Sequence, residues 1–282
     1  MPASLADKVA LFTSRFGATA KSAVKILTGG KAPRIRSEKR GGPLYILGNG
    51  PSLRTALDSD MEFLCGQDTL AVNFAANSPE FNRLRPRFYV LADPHFFNDP
   101  DDVNVRKLIG SLSSVAWPMT LFIPVRATIP PALGSCGNLT ICRFNFRAVE
   151  GFPWFENYMF RHQLGMPRPR NVLIPSVMIG MWLGYRQIYL LGADHSWTRT
   201  LSVTDDNHVV TIQPHFYKED AHEEKRVHAT YQSVPMHSIL ESFSIAFKAY
   251  HRINQYAGHT GVTILNATPG SFIDAFQRSS IH

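Results

Sequence analysis

The run Gly48-Asn49-Gly50-Pro51-Ser52-Leu53 sets an amide and a hydroxyl between small residues, directly after four apolar ones. Glycines allow a tight turn and close backbone approach, and a helix starting after the turn presents free N–H groups that an anion can occupy. Ser52 is a suitable N-cap for a helix beginning at Leu53. The spacing is not the G-x-G-x-x-G fingerprint, because Leu53 takes the third glycine's place, and no Lys-Ser/Thr follows to make a P-loop. Similar small-polar groups recur at Asn73, at Asp93-Pro94-His95, at Gly192-Ala193-Asp194-His195-Ser196 and at Asn266. Histidines crowd residues 195 to 237, and an imidazole can take a proton at neutral pH. His215, His222 and His228 stand seven and six apart, unlike the short H-x-x-x-H pairs that put two metal ligands on one helix face. No D-x-D closes a strand, and Asp99-Pro100-Asp101-Asp102 and Asp205-Asp206 read as solvated loop acids.

These groups are positioned by what precedes them. Apolar runs at 44–47, 69–73, 87–93, 121–125, 139–142, 187–192 and 262–266 read as buried strands. Near-continuous apolar strands separated by helical or loop segments imply an α/β, Rossmann-like, predominantly parallel sheet with helices on both faces. Two helices stand out, one near 175–183 ending at Gly184, the other from Ile239 to Tyr256 with one apolar face. In a parallel sheet the carboxyl ends of the strands share one edge, where ligands bind. Asn and Asp also favour turns on their own account, yet five such endings together point to one polar cleft. The polar segment of about 198–235 is expected to form a lid-like insertion over it. Trp154, Phe155, Tyr158 and Phe160 read as core or lid packing, with stacking on an acceptor as the alternative.

Charge is placed unevenly. Residues 1–40 hold nine Lys/Arg and two Asp/Glu, so they account for the whole formal net charge of +7. A neutral body argues against a nucleic-acid-binding surface on the folded domain. The same stretch carries Leu5, Val9, Phe12, Phe16, Val24 and Leu27 at helical spacing, interspersed with Lys8, Arg15, Lys21 and Lys25. It reads either as a basic amphipathic helix on an anionic membrane surface or as a packed N-terminal helix. No apolar run approaches the roughly 18 residues needed to span a bilayer, and no secretory h-region is seen. Gly29-Gly30 through Gly41-Gly42 reads as a flexible linker, giving a leader and linker at 1–42 and one α/β Rossmann-like domain at 43–282. Cys65, Cys136 and Cys142 are odd in number and lack C-x-x-C spacing, so they are expected to be reduced core residues of a cytoplasmic protein.

Ile46 through Leu53, then Asn73, then Leu183-Gly184-Tyr185-Arg186-Gln187-Ile188-Tyr189-Leu190-Leu191-Gly192-Ala193-Asp194 resemble the bacterial sialyltransferases of glycosyltransferase family 42. They also resemble a wider group of polysaccharide-biosynthesis proteins with the same domain, which includes hydroxymethylpterin pyrophosphokinases; His215-Phe216-Tyr217 and Ile264 through Pro269 fit that group better. The likeness covers roughly 43–275. It implies inverting, metal-independent transfer of an acid sugar (sialic acid, Kdo or similar) from a CMP donor to a bacterial surface-glycan or glycolipid acceptor, with the donor as substrate and no cofactor. By the same resemblance Gly48, Asn49, Gly50, Pro51, Ser52 and Asn73 contact the CMP part. Asp93 stands where the relatives have an Asn, Asn171 falls near a donor-binding pair, and Gly192, Asp194 and Asn266 complete the strand ends. His237 matches the general base by position. The two tyrosines that receive the leaving phosphate in the sialyltransferases fall here at Ser196 and near Ser202, so Tyr217, His195 or His215 is expected to substitute. The enzyme would be cytoplasmic, with residues 1–40 available for attachment to the inner face of the membrane; an oligomer is left open. The alternatives are a Mg²⁺-dependent pyrophosphokinase-like enzyme, with Asp93 and Asp194 as metal ligands, and a non-catalytic sugar-nucleotide-binding protein.

Overall fold

In the computed structural model, which describes residues 4–210, 216 and 234–281, each of the seven apolar runs forms a strand. β1 (Leu44–Leu47), β2 (Asp68–Val72), β3 (Phe88–Val90), β4 (Met119–Pro124), β5 (Leu139–Phe144), β6 (Gln187–Leu191), β9 (Thr263–Asn266) and a short β10 (Gln277–Arg278) make one sheet. Its order is β10-β9-β6-β1-β2-β3-β4-β5, and every neighbouring pair is parallel. Successive side chains point to opposite faces of a strand. Leu44, Ile46, Leu70, Val90 and Ile188 therefore enter one apolar layer, while Tyr45, Leu47, Ala71, Tyr89 and Leu191 enter the other. The first layer is covered by α8 (Leu173–Trp182), buried along its whole length, and by α9 (Met236–Thr260), whose apolar face carries Ile239, Phe243, Tyr250 and Ile253. The second lies under α2 (Ser52–Cys65), α3 (Glu80–Leu84) and α5 (Val103–Ser113).

α1 (Leu5–Thr28) starts in a capping box between Ser4 and Asp7. Its second half rests on the body, where Ile26 and Ser22 are buried and Ser22 Oγ bonds the backbone of Glu150 in both directions. The expected loose linker is fastened instead. Ala32 N–H donates to Asn145 Oδ1 (3.1 Å), Gln163 takes both backbone groups of Ile35, and Glu38 N–H donates to Leu183 O. Ile35 is buried because it fills the first apolar layer, a contact that the Gly- and Lys-rich surroundings conceal. α4 (His95–Asn98), α6 (Pro131–Gly134) and α7 (Pro153–Arg161) are short connections. At the start of the segment expected to form a lid, most of which lies outside the described residues, β7 (Ser202–Val203) and β8 (Val209–Val210) pair as a small antiparallel hairpin, and Val209 packs on Ile239 and Phe243 of α9. All three cysteines are free, and Cys65 is exposed rather than in the core.

Candidate active site

From β1 the chain winds outward through β5, then returns across the sheet to β6 on the other side of β1. The strand order reverses between β1 and β6, and a crevice opens at such a point outside the carboxyl ends of the strands. Here the crevice is a cleft of about 410 Å³. Asn49, Gly50 and Pro51 line it from β1, Asn73 and Phe74 from β2, and Asp93 and His95 from β3; Gly192, Asp194, His195 and Trp197 come from β6, and Arg170 and Asn171 from the approach to α8.

Gly48 and Gly192 shape the floor. Gly48 N–H donates to Leu191 O (2.8 Å) and Gly50 N–H to Gly192 O (2.9 Å), so the two turns are laced together through main chain. A Cβ on Gly48 would lie 2.5 Å from Gly192 O, and one on Gly192, where φ is +63°, would strike Gly48 O. These glycines make the contact; they are not ligand groups by virtue of a side chain.

The helix N-terminus expected to receive an anion holds one already. Asp194 Oδ2 accepts from Ser52 Oγ (2.8 Å) and Oδ1 from Ser52 N–H (3.3 Å), satisfying donors at the start of α2. Helix α2 begins at Ser52 with Pro51 as its N-cap, so Ser52 donates its hydroxyl instead of capping. Asn266 is buried and also internal. It bonds Ser271 Oγ, Ile273 O and Thr268 N–H, and the Thr268 and Ser271 hydroxyls hold the 190–193 backbone. Ser52 and Asn266 thus support the cleft without lining it.

Asn73 has a left-handed backbone (φ 49°), a costly conformation for a residue with a Cβ. Tyr89 Oη fixes it by donating to Asn73 O (2.5 Å) while accepting from Ala76 N–H. Asn73 Oδ1 is buried with no hydrogen-bond partner among the described residues. Asn49 Nδ2 donates to Val72 O (3.2 Å), tying the first two turns together. His195, also left-handed at φ 52°, is buried; its Nε2 lies 2.6 Å from Tyr250 Oη, which donates to Asn171 Oδ1 at 2.9 Å. Burial brings the His195 imidazole down to about 3, so it is neutral at physiological pH and better suited to positioning than to accepting a proton. Trp197 stacks beside it at 4.2 Å between ring centroids.

The Asp93-Pro94-His95 ending stands at the cleft as expected, whereas the grouping of His95 with Asp99 and Asp102 was not foreseen from sequence. His95 lines the cleft, with Nδ1 at 3.7 Å from Asp99 Oδ2 and Nε2 at 3.7 Å from Asp102 Oδ2. Asp93 Oδ1 fixes the turn by accepting from His95 N–H (2.9 Å). Asp102 is not a solvated loop acid: it is buried and caps α5, its Oδ1 accepting from Asn104 and Val105 N–H. One ligand atom from each of His95, Asp99 and Asp102 lies within 4.8 Å of the others, so this trio could hold a cation. Arg170 was also missed. It is exposed on the cleft wall and has no ion pair or side-chain hydrogen bond among the described residues.

His237 is exposed in the first turn of α9 and is not among the residues that line the cleft. His215 and Tyr217 lie outside the described residues, as do His222 and His228. Phe216 between them is held at the turn: its N–H donates to Asn49 O (3.0 Å), its carbonyl accepts from Arg54, and Arg54 also pairs with Glu80. Of the four aromatics expected to pack, Phe155 and Phe160 are buried, while Trp154 and Tyr158 are exposed.

No family model matches the chain, and no curated protein matches it in sequence. Among solved structures it is similar to a MAf glycosyltransferase from Magnetospirillum magneticum AMB-1, with a TM-score of 0.51 and 13% identity. The similarity covers 96% of this chain and 38% of that one, so this chain matches well under half of its neighbour's length. The likeness is one of fold alone. No helix of the described residues is long and apolar enough to cross a membrane.

Proposed function

We propose that the chain is a glycosyltransferase that binds a nucleotide-activated sugar in this cleft. We infer a CMP-linked acid sugar as donor and a bacterial surface glycan or glycolipid as acceptor. The observation that carries the reading is Arg170, a cation without a partner among the described residues, on the wall of a cleft that is also lined by Asn73, whose Oδ1 has no hydrogen-bond partner among the described residues. Acid-sugar transfer leaves a phosphate dianion and uses a donor with a carboxylate, and a free guanidinium suits either group. The similarity in fold to a named glycosyltransferase supports the reaction class.

In the proposed step an acceptor oxygen attacks the anomeric carbon on the face opposite the phosphate. The C–O bond to phosphate breaks, CMP departs with the electron pair, and the acceptor proton passes to an imidazole. His95 is the candidate for that base. Its Nε2 is buried and faces Asp102, which leaves Nδ1, beside exposed Asp99, to take the proton. His237 lacks such surroundings in the first turn of α9, and His195 is held neutral by burial. Tyr217, next in sequence to the anchored Phe216, is the proposed donor to the leaving phosphate.

The test is calorimetry with CMP, UDP, GDP and ATP in the presence of chelator, on wild type and Arg170→Ala. CMP should bind, and the variant should lose about tenfold in affinity, the worth of one charge-assisted contact. No heat with CMP beside clear heat with ATP would remove the reading. The clustering of His95, Asp99 and Asp102 favours a second one, a Mg²⁺- or Mn²⁺-dependent transfer including pyrophosphoryl transfer. Asp194 is occupied at α2 and Asp93 in its own turn, so that trio would be the metal site. Turnover abolished by chelator and restored by either metal would favour it.

A further inference from the structure

We propose that the exposed half of α1 and the start of α7 form one docking surface for an anionic lipid bilayer. Of the twelve large apolar side chains that stand exposed among the described residues, seven belong to α1 and two, Trp154 and Tyr158, to α7. Every residue from Leu5 to Gly17 is exposed, so this half of the helix projects beyond the body. At 3.6 residues per turn, Leu5, Val9, Phe12, Phe16 and Leu27 fall within an arc of about 60°.

The arm is held in place. Thr19 Oγ1 accepts from Phe152 N–H (3.0 Å), Ser22 is bonded to Glu150, and the Phe12 ring meets Phe152 at 5.4 Å between centroids. Phe152 leads directly into α7, where Trp154 is 69% and Tyr158 55% exposed. Trp and Tyr are the aromatic residues that favour the membrane–water boundary.

Charge selects a lipid surface over other partners. The acid of α1, Asp7, is spent in the capping box with Ser4, whereas Lys8, Arg15, Lys21 and Lys25 have no anionic partner among the described residues. A second copy would bring another leader with a net +7 against this one, which like-charge repulsion opposes. Anionic headgroups meet that charge, and the acyl boundary accepts the apolar stripe. Location supplies a use. The 147–152 segment that seats α1 follows β5, and Phe146 just before it belongs to the cleft wall. Docking there would bring the Phe146 side of the cleft toward the bilayer, where a lipid-linked acceptor resides.

The test is flotation of the full chain with vesicles of phosphatidylcholine alone or of phosphatidylcholine and phosphatidylglycerol in equal parts. The chain should float with the anionic vesicles, bind the neutral ones about tenfold more weakly or worse, and be released by high salt. The double variant Val9→Asp/Phe16→Asp should keep the wild-type melting temperature and CMP binding, because both side chains are exposed, while losing about tenfold or more in vesicle affinity. Trp154→Ser should cost a smaller factor. Failure of wild type to float with anionic vesicles, or flotation of the double variant equal to wild type, would overturn the proposal. So would a concentration-dependent dimer that the double variant dissociates, with no flotation by either form. None of these outcomes bears on whether CMP binds, so the two proposals fail separately.

Discussion

His195 links the stability of the fold to pH. The ring is buried against Tyr250 and Trp197 with its Nε2 committed to Tyr250, and burial holds its titration near 3. In the unfolded chain the same imidazole titrates near 6.5. A group whose folded value is depressed in this direction binds protons preferentially in the unfolded state. Its contribution is therefore complete above about pH 6.5 and is lost progressively as pH falls toward 3. Between pH 7 and pH 5 the unfolded chain becomes almost fully protonated at this position while the folded one stays neutral. Linkage then removes about 2 kcal/mol of unfolding free energy. Other groups titrate in the same range, so the measurement compares wild type with His195→Gln by urea unfolding at pH 7, 6 and 5. Gln replaces the ring with a group that has no charge to gain. It should lower stability at pH 7 and flatten the decline, so that the gap between the two proteins narrows by about 2 kcal/mol at pH 5. Parallel decline of the two would show that this imidazole charges as readily folded as unfolded, and the account of a neutral, positioning histidine would fail.

Gly192→Ala should cost about 3 kcal/mol in urea unfolding, because a Cβ there meets Gly48 O and Leu53 from a left-handed backbone; an unchanged midpoint would mean that the floor is less tightly closed. Asp102→Ala removes the cap bonds to Asn104 and Val105 N–H and should cost about 1–2 kcal/mol. Asp102→Asn retains an oxygen for those bonds, so it should fold nearly as well while lowering turnover, by virtue of the lost charge facing His95; equal turnover in Asp102→Asn and wild type would remove Asp102 from the reaction.

Much of this architecture was legible in the sequence because parallel strands buried on both faces are continuous apolar runs. All seven such runs are strands, and the polar residues that end five of them stand at one edge of the sheet. What periodicity cannot show is how a polar side chain is spent. Asp194, Ser52 and Asn266 look like ligand groups in a list, yet two of them close a helix start and the third ties down a loop. Asp102 looks solvated among neighbouring acids, and only the start of α5 reveals it as a buried cap. Arg170 comes to the cleft from the approach to α8, and Asp99 and Asp102 come to His95 from beyond its own turn, where position depends on tertiary folding alone. β10, two residues long, and the β7–β8 hairpin are too short for any pattern to register. Ile35 lay hidden inside a stretch whose composition reads as linker.

The seam between Gly48 and Gly192 has an evolutionary consequence. Where two turns touch through carbonyl and amide groups, substitution has almost nothing to act on, since a replacement that adds a side chain at either glycine jams the seam. Divergence among proteins built this way must therefore accumulate in the walls, at residues such as His95, Arg170 and Trp197, which arrive on separate loops and can be exchanged one at a time. A lineage could change what the cleft holds many times over while this floor stayed the same.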